Sequence, residues 1–498
     1  MKLFERVPPD SAVIAILVAV TICVRLISFA YLSSLASANP EASPYPLVAG
    51  DSSYYANWAD ALLTRHAYED KDGVPLRVQP PGYPALLAGI KAVTGSVAPV
   101  VVLQILLAAF AAVLIYRMAR TLVPLPYALV PALVYGIDPM VAFTDSAVMT
   151  DGLFSALLIC IVYLAFFSRP VRGETILHPF REIEASNGAG VKSVVRWGSA
   201  GLLLGIAIMI RPIAQFLIIV FPVLYLLRVR FFGGFENGSR AKSIGVFLMV
   251  CALILTPWMV RNQRTFGSFE ISVLGPHNLL YNDARGFLAW RALEEASTPM
   301  PAILVMRRVS NPVFAVVDGK IAEGLAEITP QGESAANYEG ALALRFIMHD
   351  PFRYAYFHAV NTLPFFFSSS IASYGQIARQ LRSNEGFFAP VTLSILDTLG
   401  RIRNPESASS FIGAVRTLAP IALEMFWWLI VALLALAALP LRRRNFAIVL
   451  FAVLVMYFAA LTGPMSNSRY RIPAEPYLLI LAVAGAHAIF NRGKEKRI

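Results

Sequence analysis

The chain has 498 residues, of which 57% are hydrophobic and only 15% charged, where soluble domains carry about 25% charged residues. Apolar runs of membrane-spanning length recur along most of it, which excludes a soluble or disordered protein and predicts an all-α polytopic membrane protein. The formal charge of +11 would point to nucleic acid in a soluble protein, but its placement gives a different account, developed below.

The first expected span covers 11–35 and carries Arg25. A polar first loop, 36–98, follows, ending in a short apolar stretch, 83–93, that holds Lys91 and is expected at the interface. Further spans are expected at 99–119, 124–140 (short, with Pro131), 147–167, 197–211, 214–227 and 243–260. The segment 261–417 is the longest polar region and should form a separate, partly helical layer. Spans at 418–439, 447–462 and 477–490 close the chain. This divides it into an N-terminal membrane module (1–260), an interfacial region (261–417) and C-terminal membrane helices (418–498). About ten crossings result, with both termini inside, or twelve if 352–370 and 387–399 cross as a pair. With ten, the inner segments hold 20 Lys/Arg against 7 Asp/Glu, and everything else 22 against 24. The whole basic surplus then lies on one side, as the positive-inside rule requires, and nucleic acid is not needed to explain it. Cys23, Cys160 and Cys251 each sit in an apolar run and read as packing residues, not as a disulfide framework or zinc site.

The unusual residues gather in the outward segments. Asp51 stands before Tyr55, Trp58, Ala59 and Leu62, whose spacing predicts an amphipathic interfacial helix. Asp51 suits either an N-cap or a general base. Gln79-Pro80-Pro81-Gly82-Tyr83-Pro84 reads as a stiff turn. Asp145 and Asp151 lie at the mouth of the fourth span: Asp145 suits a solvated or capping carboxylate as well as a site, whereas Asp151 lies further into the apolar run, where a carboxylate is costly and usually functional. Arg211, Arg261, Arg469 and Arg471 are cations on the side that topology does not favour. Each suits snorkelling to headgroups or, as a set, binding of a phosphate by planar donor forks. His277 and Glu475 are weaker candidates. Neither a Gly-rich nucleotide loop nor a metalloprotease or nucleophile-elbow motif is present. Acids plus arginines at a lipid boundary are what a transfer from a lipid-linked phosphate needs.

Gly50-Asp51 through Leu63, Pro80-Pro81-Gly82-Tyr83-Pro84, Asp151-Gly152-Leu153-Phe154, Arg211-Pro212, Pro257-Trp258-Met259-Val260-Arg261-Asn262 and Arg469-Tyr470-Arg471-Ile472-Pro473-Ala474-Glu475-Pro476 occur in an order that resembles bacterial GT-C membrane glycosyltransferases of the protein-mannosyltransferase-like and aminoarabinose-transferase-like group. The resemblance implies a GT-C fold with periplasmic loops containing interfacial helices, in the bacterial inner membrane. It also implies a polyprenyl-phosphate-linked sugar donor, an acceptor glycan, lipid or protein, and inverting single displacement at a periplasmic site with Asp51 as base. Tyr54, Asp145, Asp151, Arg211, Arg261, Arg469 and Arg471 are then the substrate-binding candidates. No cofactor is expected, a divalent metal being the less favoured alternative, because Ser52-Ser53 stand where some relatives pair a second acid with the first. The alternatives are a flippase for lipid-linked glycans and a polysaccharide ligase or polymerase.

Overall fold

A computed structural model describes residues 10–38, 45–48, 51–168, 189–232, 240–308, 311–381, 408–443 and 445–495. Among them the chain is helical, with one isolated antiparallel bridge between Glu69 and Pro75 and no named strand. Seven segments are long and apolar enough to cross a membrane: Asp10–Ser37, Val100–Arg120, Ser193–Ile210, Pro212–Phe231, Arg240–Phe266, Val415–Leu441 and Phe446–Met465. Pro139–Ser146 with Thr150–Phe166, bent by 104°, makes an eighth, and Glu475–Asn491 is a shorter apolar helix.

Helices therefore lie at each of the ten expected positions, but the third and fourth spans are not straight rods. Leu129–Ile137 ends at Asp138, whose carboxylate accepts the Met140 and Val141 amides at 2.8 and 3.0 Å and so caps the helix Pro139–Ser146. Pro139 fits at the first helical position, where its missing N–H costs nothing. Ala147 and Met149 are extended, and the chain turns sharply into Thr150–Phe166. Segment 352–370 forms the helices Pro351–Thr362 and Pro364–Phe367, broken at Leu363-Pro364. The inner loop 169–188 and the segment 387–399 lie outside the described residues.

Helix Val100–Arg120 shows why the bundle packs. Val101, Gln104, Ile105, Ala108, Ala112, Ile115 and Ala119 recur every three or four residues and are buried, while Val102, Leu106 and Phe110 face outward. In a bilayer the exposed apolar stripe is solvated by lipid, and the small alanines let neighbouring helices approach. The helices of the bundle share one buried apolar cluster. A second forms around Leu280, Phe287, Trp290, Val317, Leu342 and Phe357, giving residues 280–357 a core of their own, while Phe365, Ile377, Ala378 and Leu381 belong to the bundle cluster. Arg77 of the first loop ties the two layers, donating to Asn337 at 2.6 Å, Ser334 at 3.1 Å and Glu270 at 3.3 Å.

Candidate active site

Asp51 is the first residue of the helix Asp51–Thr64, whose Tyr55 and Ala59 are buried one and two turns further on. The Tyr55 ring meets Tyr83 edge-on at 5.2 Å, and the Tyr83 hydroxyl donates to Gln104 Oε1 at 2.8 Å. The Gln104 amide in turn donates to the carbonyls of Ala147 (2.8 Å), Asp145 (3.2 Å) and Thr144 (3.3 Å). A buried glutamine thus satisfies the carbonyls freed by the break before Thr150–Phe166, and it fixes that break relative to the Asp51 helix.

Asp151, in the first turn of Thr150–Phe166, is brought into register by this bend. Arg211 is extended because it precedes Pro212, whose ring disfavours the helical region for its neighbour; the helix Ala189–Ile210 stops there. Arg469 sits on the single turn Ser468–Arg471, capped by the Asn467 side chain, which accepts the Arg469 amide at 2.9 Å.

These four side chains meet. Arg469 Nη2 donates to Asp51 at 2.5 Å and to Asp151 Oδ2 at 3.0 Å, while its Nε faces both Asp151 oxygens at 3.2 Å. Arg211 Nη1 pairs with Asp151 Oδ1. Two carboxylates and two guanidiniums give a neutral cluster, but access to its members differs. The Asp151 side chain is 1% exposed, Arg211 18%, Arg469 19% and Asp51 37%. Asp151 is the inner anchor that aligns both arginines. Asp51 is the more exposed of the two acids. Burial, and then the Asp51 charge, pushes the Tyr55 hydroxyl above the ordinary phenol range, so it remains a neutral donor.

The remaining candidates lie apart from this cluster. Tyr54 is exposed and stacks on Trp58 at 6.0 Å between ring centroids. Asp145 is buried in an ion pair with Arg25 at 3.0 Å, and Arg25 also donates to the Gly136 carbonyl. Gly152 makes room for that carboxylate, since a Cβ there would overlap Asp145 Oδ1. Arg261 donates to the carbonyls of Leu76 at 2.5 Å and Tyr68 at 3.2 Å, with its guanidinium over the Trp258 ring, so it closes the first loop. Arg471 is fully buried, paired with Glu475 at 3.4 Å, donating to the Ser368 carbonyl at 2.9 Å and lying over Trp428 at 3.7 Å. His277 faces Glu339 at 3.2 Å. Sequence reasoning missed the Arg25–Asp145 pair and the role of Gln104; an arginine in mid-span was the one signal of the former. Among the described residues, no group of three or more His, Cys, Asp or Glu is placed to hold a metal ion.

No family model and no curated protein matches the chain. Among solved structures it is similar to the crystal structure of ArnT from Cupriavidus metallidurans bound to undecaprenyl phosphate, with 14% identity, covering 96% of this chain and 78% of that one at a TM-score of 0.37. The likeness is distant. At that identity residue roles do not transfer, and the chemistry rests on the cluster in this chain.

Proposed function

We propose that the chain is a membrane glycosyltransferase that moves a sugar from a polyprenyl-phosphate donor to an acceptor hydroxyl on the periplasmic side, with inversion in a single displacement. One observation carries this reading: Asp51, Asp151, Arg211 and Arg469, from four distant parts of the sequence, share one partly open cluster of ion pairs. Asp51 takes the proton of the acceptor hydroxyl as its oxygen bonds to the anomeric carbon. The bond from that carbon to the phosphate oxygen breaks, and the polyprenyl phosphate leaves with the electron pair. Arg469 and Arg211 receive the developing charge through their planar donor forks. The donor phosphate competes with Asp51 for Arg469 Nη2, so donor binding frees the base. Asp151, too buried to meet substrate, holds both guanidiniums ready.

A flippase would need charged groups along an open path through the bundle. The charged pairs deep in this bundle, Arg25–Asp145 and Arg471–Glu475, are 0–1% exposed and closed on each other, which favours the transferase. The test is incubation of the purified chain in nanodiscs with labelled polyprenyl-phosphate sugars and envelope acceptors. Transfer or slow donor hydrolysis supports the reading and names the sugar. No turnover with any donor, together with movement of the carrier between leaflets, sinks it.

A further inference from the structure

His358, on the helix Pro351–Thr362, sits where region 261–417 meets the turn that leads to Arg469. Its Nδ1 lies 2.8 Å from Asp283 Oδ1, and its Nε2 lies 2.9 Å from the carbonyl oxygen of Ala460. Both ring nitrogens therefore face acceptors. A neutral imidazole has one N–H and would set a lone pair against one of them; the imidazolium donates to both. The Tyr354 hydroxyl donates to the same Asp283 oxygen at 3.0 Å and lies 3.2 Å from Nδ1.

The ring also packs on Gly463, whose φ of +41° favours glycine. A Cβ there would overlap His358 Cε1 and stand 3.1 Å from Asp283 Oδ1. Gly463 opens the short turn Gly463–Met465, and Asn467 and Arg469 follow. Beyond Arg469 the chain is tied down by Arg471–Glu475 at 3.4 Å. Before it, Thr462 and Ser466 hydroxyls lie 3.0 Å apart within the turn, the Ser468 hydroxyl lies 2.6 Å from that of Ser373, and His358 links the start of the turn to Asp283.

We propose that His358, as an imidazolium bridging Asp283 and the Ala460 carbonyl, is a positioning residue that fixes the turn at 463–471 and so sets where Arg469 meets its carboxylates and the donor phosphate. The catalytic part of this rests on the transferase reading; the clasp itself does not. Asp283 and Tyr354 are the titratable groups within reach of the ring. The helix Phe446–Thr462 brings only an uncharged carbonyl to it. Nearby charges are otherwise engaged: Glu339 with His277, Arg345 with Glu327, and Arg353 with Asp350 and Glu294. Residues 302–306 of helix Ala302–Arg308 are uncharged. Burial works against the charge on His358, and Asp283, by hydrogen bond and by charge, outweighs it with help from Ala460, so the histidine titrates above its ordinary value. The clasp is thus complete below the ordinary histidine pKa of about 6.5 and is lost as pH rises through the raised value.

The experiment follows backbone hydrogen exchange of residues 463–471, corrected for intrinsic rate, against pH in the full chain in nanodiscs. The wild type, His358→Gln and Asp283→Asn are compared, with the His358 imidazole signal tracked by NMR. Protection should fall about tenfold through the His358 titration, within the range that loss of one hydrogen bond produces. Asp283→Asn should move this transition to lower pH, and His358→Gln should abolish it. Donor KM should rise over the same window by a similar factor. Protection that stays level while His358 deprotonates would overturn the clasp. A loosened turn with a flat KM profile would overturn its link to Arg469. Absence of transfer in the wild type at every pH would instead strike the transferase reading, and the exchange data would still decide the clasp.

Discussion

Asp51 and Asp151 share a guanidinium yet differ in access, and that difference underlies the roles proposed for them. A base must touch the acceptor, so Asp51→Asn should lower turnover by about 10²- to 10⁴-fold with the fold intact, read as single-turnover transfer. Arg469→Lys keeps the charge and loses the fork that spans both acids. It should weaken donor binding by about 1.5–3 kcal/mol, the worth of a charged hydrogen bond, measured as a rise in donor Kd. These roles were partly legible beforehand. Asp51, Asp151, Arg211 and Arg469 were each singled out by a carboxylate or a cation placed at odds with its surroundings. Their convergence was not legible, because Asp51 and Arg469 are 418 residues apart and no local period encodes such a pairing. For the same reason Arg471, two residues from Arg469, looked equivalent in sequence, whereas the turn Ser468–Arg471 sends it into the core.

At the scale of elements, the bend before Thr150–Phe166 depends on buried polar groups that satisfy one another. Removing one partner of a buried ion pair leaves an uncompensated charge, so Arg25→Met should cost about 3–5 kcal/mol in stability, and the double variant Arg25→Met/Asp145→Asn should recover much of it. A double-mutant cycle on thermal unfolding checks this. Replacing Gly152 by Ala pushes a methyl into Asp145 and should cost about 1–3 kcal/mol by overpacking. Hydrophobic runs located the helices, since length and apolarity are local properties. They did not reveal that Asp138-Pro139 starts a new capped helix or that Ala147 and Met149 are extended. Those features depend on the Asp138 cap and on Gln104, which lies in another helix.

The whole molecule combines a lipid-facing bundle with a second helical layer that has its own core. Sequence pattern marked 261–417 as a polar segment, but it did not indicate that the second core ends near Phe357 or which ties register it on the bundle, Arg77 to Asn337 and His358 to Ala460. The excess of basic residues predicts that Arg240 lies on the cytoplasmic side and Glu333 on the other. In a background lacking Cys23, Cys160 and Cys251, Glu333→Cys should react with an impermeant maleimide on intact cells, and Arg240→Cys only after lysis. The reverse pattern would invert the topology and place the Asp51 cluster on the cytoplasmic side.

We propose that Asp51 performs chemistry at a phosphate site organised by Asp151, Arg211 and Arg469. The most direct measurement loads wild type and Asp51→Asn with the same labelled polyprenyl-phosphate sugar in nanodiscs and reads donor binding and single-turnover transfer in one sample. With Asp51 as the base, the variant should still bind donor while transfer falls by at least ~100-fold. Transfer by Asp51→Asn at the wild-type rate would contradict it.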